Sequence, residues 1–151
     1  MSDAIKELVY RSCLLLDARD FEGFLALCHA NFRYTVRAYS PEIRRDMVWL
    51  DHDRSGIEAL FRTLPRHHSD PSPLTRHVTV YTVTIDEAAA RANVVSALQV
   101  FRTALDGGAT HLFAIGKLYD TVSLDDGVPH LAKREVQLDT RALEIGTHIP
   151  L

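Results

Sequence analysis

Four residues carry side chains suited to moving a proton without a cofactor: Tyr34, Asp51, His77 and Gln99. A phenol donates to a developing oxyanion, an imidazole acts as general base, and a carboxylate or amide orients it. In that assignment Tyr34 is the donor, His77 the base, and Asp51 or Gln99 the orienting group. The chemistry is cofactor-free dehydration or isomerisation of a hydrophobic carbonyl compound. It needs a deep, mostly apolar pocket in which burial shifts the pKa of the acting group. The same pocket without turnover describes a small-ligand binding protein. Each residue also has a plainer role: Tyr34 alternates with Phe32 and Val36 as core does, His77 opens an alternating run, and Asp51 lies in a charged turn.

Other chemistries find less support. His67, His68 and Asp70 are the densest group of metal-ligand types, but adjacent side chains of an extended segment point to different sides. A solvated loop is the simpler reading and no metal site is expected; a mononuclear site of two histidines and one carboxylate is a question for metal analysis. A Rieske cluster needs two cysteines and two histidines in paired, short-spaced motifs. Here Cys28 and His29 are adjacent and Cys13 has no histidine near it, so no such cluster is expected in this chain. No Gly-rich dinucleotide fingerprint follows a predicted strand, and no Gly-x-Ser-x-Gly elbow occurs. Cys13 and Cys28, each among apolar neighbours, read as buried free thiols rather than a disulfide.

The elements that must position these residues follow from periodicity. Ile5, Leu8, Val9, Leu15 and Leu16 recur at helical spacing over Ser2 to Leu16, with Ser2 or Asp3 as cap. Asp20 caps a second, shorter helix carrying Phe21, Phe24, Leu25 and Cys28. A third begins at a Ser55/Glu58 capping box, carries Ile57, Leu60, Phe61 and Leu64, and ends at Pro65. Between the second and third, Phe32 to Tyr39 and Asp46 to Leu50 alternate as a pair of strands. Pro65 to Pro73, with three prolines, is a loop. From His77 the period becomes two, over His77 to Ile85, Arg91 to Thr103, His111 to Leu124 and His130 to Leu138. Turn signals at Asp106 to Gly108 and Asp125 to Gly127 separate the later runs.

Helices first and hairpin-linked strands afterwards indicate an α+β fold: a cone-shaped, curved antiparallel sheet of about six strands with three helices on one face. At 151 residues, 46% hydrophobic and 25% charged, the chain suits one domain spanning 1–151 with a sizeable core. Its net charge of −3 gives no broad attraction to phosphate or anionic lipid, so neither nucleic acid nor membrane is an expected partner. The mixed charges of Ser2 to Glu7 and the short apolar stretch after them match no leader or membrane span, which points to the cytoplasm.

Several stretches together carry a resemblance: Leu14-Leu15-Leu16-Asp17 with Asp20-Phe21; Thr75-Arg76-His77 opening a long strand; Val100-Phe101-Arg102-Thr103 before a Gly-containing turn; and Leu138-Asp139-Thr140-Arg141. The chain resembles the small (beta) subunit of aromatic ring-hydroxylating, Rieske-type oxygenases. That family has the nuclear transport factor 2-like (cystatin-like) cone fold shared with scytalone dehydratase and steroid isomerase. The ending Gly146 to Leu151 is also similar to small subunits of related oxygenases such as the methanesulfonate type. The resemblance implies a non-catalytic structural subunit in a complex for aromatic hydrocarbon catabolism or a related oxidation. The Rieske cluster and mononuclear iron would sit in a large subunit, within a homotrimer or a three-plus-three hexamer. It also implies that the outer sheet face and the last residues are interface, with Arg76, Arg141, His148, Ile149 and Leu151 as candidate contacts; packing of the apolar run Ile145, Ile149, Pro150 and Leu151 against the chain's own sheet is the equal alternative.

Overall fold

The computed structural model describes residues 1–42, 44–67, 72–139 and 150–151, with side chains left aside at 64–67. In chain order the elements are α1 (Ser2–Asp17), α2 (Phe21–Ala26), β1 (Cys28–Ser40), β2 (Arg45–Asp53), α3 (Arg54–His67), β3 (Leu74–Asp86), β4 (Arg91–Thr103), β5 (Thr110–Ser123) and β6 (His130–Leu138). The strands form one sheet in the order β2-β1-β6-β5-β4-β3. Bulges at Val36/Arg37, Val80/Thr82, Val100/Phe101 and Thr121/Val122 bend the strands and deepen their twist, giving the expected curved sheet.

One pairing departs from the antiparallel expectation. β1 runs parallel to β6, with Tyr34 beside Arg134 and Val36 beside Val136, so the sheet is mixed. Hairpin signals reveal only neighbours in sequence, and this contact joins the first strand to the last.

Helix ends differ in detail. α1 is preceded by Met1 and has no side-chain cap, so neither Ser2 nor Asp3 performs that role. Asp20 does cap α2, its Oδ1 accepting from the Gly23 amide at 2.9 Å. Cys28 belongs to β1 rather than to that helix. At α3 the cap is Asp53, whose Oδ1 accepts from the Gly56 amide at 2.8 Å; Ser55 already lies inside the helix. An aspartate two residues earlier meets the orphan amide of Gly56 and starts the helix sooner. α3 also runs past Pro65 to His67. Residues 68–71, including His68 and Asp70, lie outside the described residues.

The helices pack on the concave face. Ile5, Val9 and Leu16 from α1, Phe24 from α2 and Ile57 from α3 are fully buried against Phe32, Val36, Leu98, Leu118, Leu131 and Val136 of the sheet. Each such side chain contributes roughly 1.5–3 kcal/mol. Phe21 stacks on Phe61 at 4.3 Å between centroids, and Phe24 meets Phe32 edge-on at 6.0 Å, tying α2 and α3 to β1. Gly116 is required by close approach: a Cβ there would run into the Gln137 carbonyl of β6.

Candidate functional site

Polar residues at inward positions of the sheet build the centre of the cone. On β6, Arg134 shares the face of Val136 and Leu138; on β5, Asp120 shares that of Leu118 and Val122. The register sets Arg134 between Tyr34 and Asp120, and all three are buried. Arg134 Nε and Nη2 donate to Asp120 Oδ1 and Oδ2, each at 2.8 Å. Burial opposes the charge on Arg134, but the facing Asp120 carboxylate more than offsets it, and the guanidinium pKa is raised.

Arg76 enters the cone from β3. Its Nη1 donates to Asp17 Oδ1 of α1 at 2.7 Å, and its Nη2 donates to the Pro150 carbonyl. Leu151 is buried, and its amide donates to Tyr34 Oη at 2.8 Å. Burial pushes the Tyr34 phenol up to about 12 against the pull of Leu151, Arg76 and Arg134. Burial also raises the Cys28 thiol to about 12. Both cysteines are free and buried, as their neighbours suggested.

The four residues assigned to proton transfer do not meet. Tyr34 faces the cone interior, where Pro150 and Leu151 occupy its hydroxyl's surroundings. His77 alternates with the buried Arg76 and so lies on the opposite, outer face, exposed, with its ring centroid 5.0 Å from that of Phe101. Gln99 pairs with His77 across β3 and β4 on that outer face. Asp51 sits on the far edge strand, 2.8 Å from Arg33, which holds its carboxyl below the usual range. His77 and Gln99 do share a groove of about 540 Å³ with Tyr10, Leu14, Asp17, Thr79 and Tyr81. Tyr34 and Asp51 are not in it.

Of the candidate interface residues, Arg76 and Leu151 are engaged inside the cone. Arg141, His148 and Ile149 lie outside the described residues. Among the described residues, no three His, Cys, Asp or Glu side chains gather as metal ligands, and no helix is long and apolar enough to cross a membrane. Sequence reasoning missed Asp17, Asp120 and Arg134. The signal for the last two was present: a charge at the parity of an apolar strand face.

Among the described residues, no helix covers the outer face beyond the groove that α1 lines at β3. Tyr119 (41% exposed) stands there between Val95 and Glu135, with the exposed Lys117 between it and Ile115 along β5, Ala97 beside Lys117, and the Arg37–Glu135 ion pair, 2.7 Å, at its flank. Among the described residues the inside of the cone is thus apolar core around buried ion pairs, and the outside is apolar in part.

Comparison with known proteins agrees with this architecture. Residues 11–144 match the model of the family described as ring hydroxylating beta subunit. The chain is 43% identical to methanesulfonate monooxygenase hydroxylase subunit beta of Methylosulfonomonas methylovora, over 99% of this chain and 87% of the relative. It is 31% identical to 2-aminobenzenesulfonate 2,3-dioxygenase subunit beta of an Alcaligenes species, over 98% and 97%. Among solved structures, a Novosphingobium aromaticivorans protein described as the beta subunit of an aromatic-ring-hydroxylating dioxygenase superposes with a TM-score of 0.81 at 21% identity, covering 96% of this chain and 92% of that one. A nuclear transport factor 2-like protein with a cystatin-like fold from the same organism superposes at 0.70 with 20% identity, covering 93% and 83%. At those identities the structures speak for the fold alone, and it is the nuclear transport factor 2-like cone. With the family model spanning most of the chain and both curated relatives above 30% identity, the chain belongs to the ring-hydroxylating beta subunit family.

Proposed function

We propose that this chain is the structural, non-catalytic beta subunit of a cytoplasmic Rieske non-haem iron oxygenase. It holds a large subunit that carries the Rieske cluster and the mononuclear iron. The complex is a ring of three large and three small chains, and its substrate is a sulfonate, the class for which both relatives are named. The observation that carries the reading is the contrast between the two sheet faces. The concave side carries the helices, Pro150 and Leu151, while the outer side presents Tyr119 and Val95 beside Lys117 and the Arg37–Glu135 ion pair. An exposed tyrosine on apolar neighbours with charged groups beside it is a composition that protein interfaces favour. His77, Gln99 and Phe101 extend the same face towards β3.

Co-expression with the large subunit from the same operon tests it. The two chains should co-purify, and Tyr119→Glu should cut the co-purified fraction at least tenfold while the isolated chain melts as before. An undiminished complex with Tyr119→Glu removes the outer-face assignment. Stoichiometric iron or turnover in this chain alone removes the structural role.

A further inference from the structure

The cone interior holds more polar machinery than a packed core requires, and it converges on two residues distant in sequence. Leu151 is only 1% exposed, its side chain part of the main apolar core. Its amide donates to Tyr34 Oη, 2.8 Å away, and the preceding Pro150 carbonyl accepts from Arg76 Nη2. Neither partner is free to drift. Tyr34 is locked in the β1–β6 pairing beside Arg134. Arg76 is held at its other nitrogen and at its own amide by Asp17, at 2.7 and 3.1 Å. Two further buried guanidinium nitrogens, Arg76 Nε and Arg134 Nη1, have no acceptor among the described residues. Buried polar groups usually find partners, so an interior with spare donors is shaped for polar occupancy as well as apolar packing. What it reads from Pro150 and Leu151 is a carbonyl, the next amide and a branched apolar side chain.

We propose that the cone interior is a binding site for a prolyl-leucine unit, filled here by the chain's own Pro150 and Leu151 and open to a peptide of the same chemistry once those residues are withdrawn. Three elements meet through that unit: β1 by Tyr34, β3 by Arg76, and α1 by Asp17 behind Arg76. The intramolecular copy has an effective concentration on the order of millimolar, so a peptide added in trans must be supplied in that range.

The test uses the chain shortened by Pro150 and Leu151, melted with and without millimolar N-acetyl-prolyl-leucine amide. Shortening should lower Tm by roughly 5 °C, from the loss of one buried leucine and its hydrogen bonds. The peptide should restore at least half of that fall, saturably, and N-acetyl-prolyl-glycine amide should restore none. An unchanged Tm on shortening, or the same response to both peptides, overturns the proposal. Because the shortened chain can fail to fold, hydrogen exchange in the full chain gives a second reading. The Leu151 amide should be protected, and Tyr34→Phe should speed its exchange at least tenfold with the other β1 amides unchanged. Exchange of the unsubstituted Leu151 amide at the rate of an unstructured peptide also overturns it.

Discussion

Arg134 shows how much a single residue can commit. Its side chain is fully buried, and two hydrogen bonds to an equally buried Asp120 keep it charged. Removing one partner strands the other charge, so Arg134→Met should destabilise by about 3–5 kcal/mol, whereas Arg134→Met with Asp120→Leu should recover most of the loss. Urea denaturation of the two variants beside the unsubstituted chain checks this. The alkaline limb of stability is also set by single groups. The Cys28 thiol, ordinarily near 9.0, and the Tyr34 phenol, ordinarily near 10.0, are both raised to about 12 by burial. Each holds its proton longer folded than unfolded, so its contribution is intact below the unfolded pKa and is lost as pH rises towards the folded one. Stability should therefore fall from about pH 9 to 12, by at most about 1.4 kcal/mol per pH unit for each group. Burial raises the Cys13 thiol as well, so Cys28→Ala should make the portion between pH 9 and 10 shallower and Cys13→Ala with Cys28→Ala should flatten it, read from thermal melts at fixed pH steps. At this scale the sequence was partly legible. The parity of Tyr34 marked it as core, but parity alone does not say that Arg76, Asp120 and Arg134 pair inside, because their partners come from other strands, a helix and the last two residues.

The elements were easier to read than their ends, because an apolar stripe repeats over many residues while a cap depends on one. β4 and β6 begin and end where alternation does, and α1 needs only one residue added at its end. The caps of α1 and α3 and the passage of α3 beyond Pro65 followed local competition that the stripe does not encode. An arrangement that only the packed elements reveal is the protection of the edge strand β3. Asp17 accepts from the Arg76 amide, and Tyr10 Oη accepts from the Val80 amide at 3.1 Å, so α1 meets backbone donors that would otherwise face another chain. Tyr10→Phe removes one of those acceptors. The Val80 amide should exchange roughly tenfold faster, with a global loss of only about 0.5–1.5 kcal/mol. Gly116 sets the spacing of β5 and β6 in the same way. Gly116→Ala forces the Gln137 carbonyl aside and should cost roughly 1–3 kcal/mol or more, measured by denaturant midpoint.

For the molecule as a whole, the parallel β1–β6 contact decides the shape. It places the first strand beside the last, brings Tyr34 next to Arg134, and leaves β2 and β3 as the two edges. Consecutive hairpins could be counted from the sequence; this closure could not, since nothing local distinguishes a strand that pairs with its neighbour from one that waits for the chain's end. The closure divides the described residues into an inner face that carries the helices and an outer face, and the two should respond separately to a partner. A ligand that binds only the folded chain raises its Tm by mass action, so the isolated chain should melt lower than the chain in complex with its large subunit, and the gap should widen with partner concentration. Substitutions inside the cone, such as Leu151→Ala, should lower both melting points together, because they weaken the fold that the partner recognises. Substitutions outside, such as Tyr119→Glu, should leave the isolated chain unchanged and narrow only the gap. A Leu151→Ala variant that narrows the gap without moving the isolated Tm would place the last residues in the subunit interface instead of in the cone.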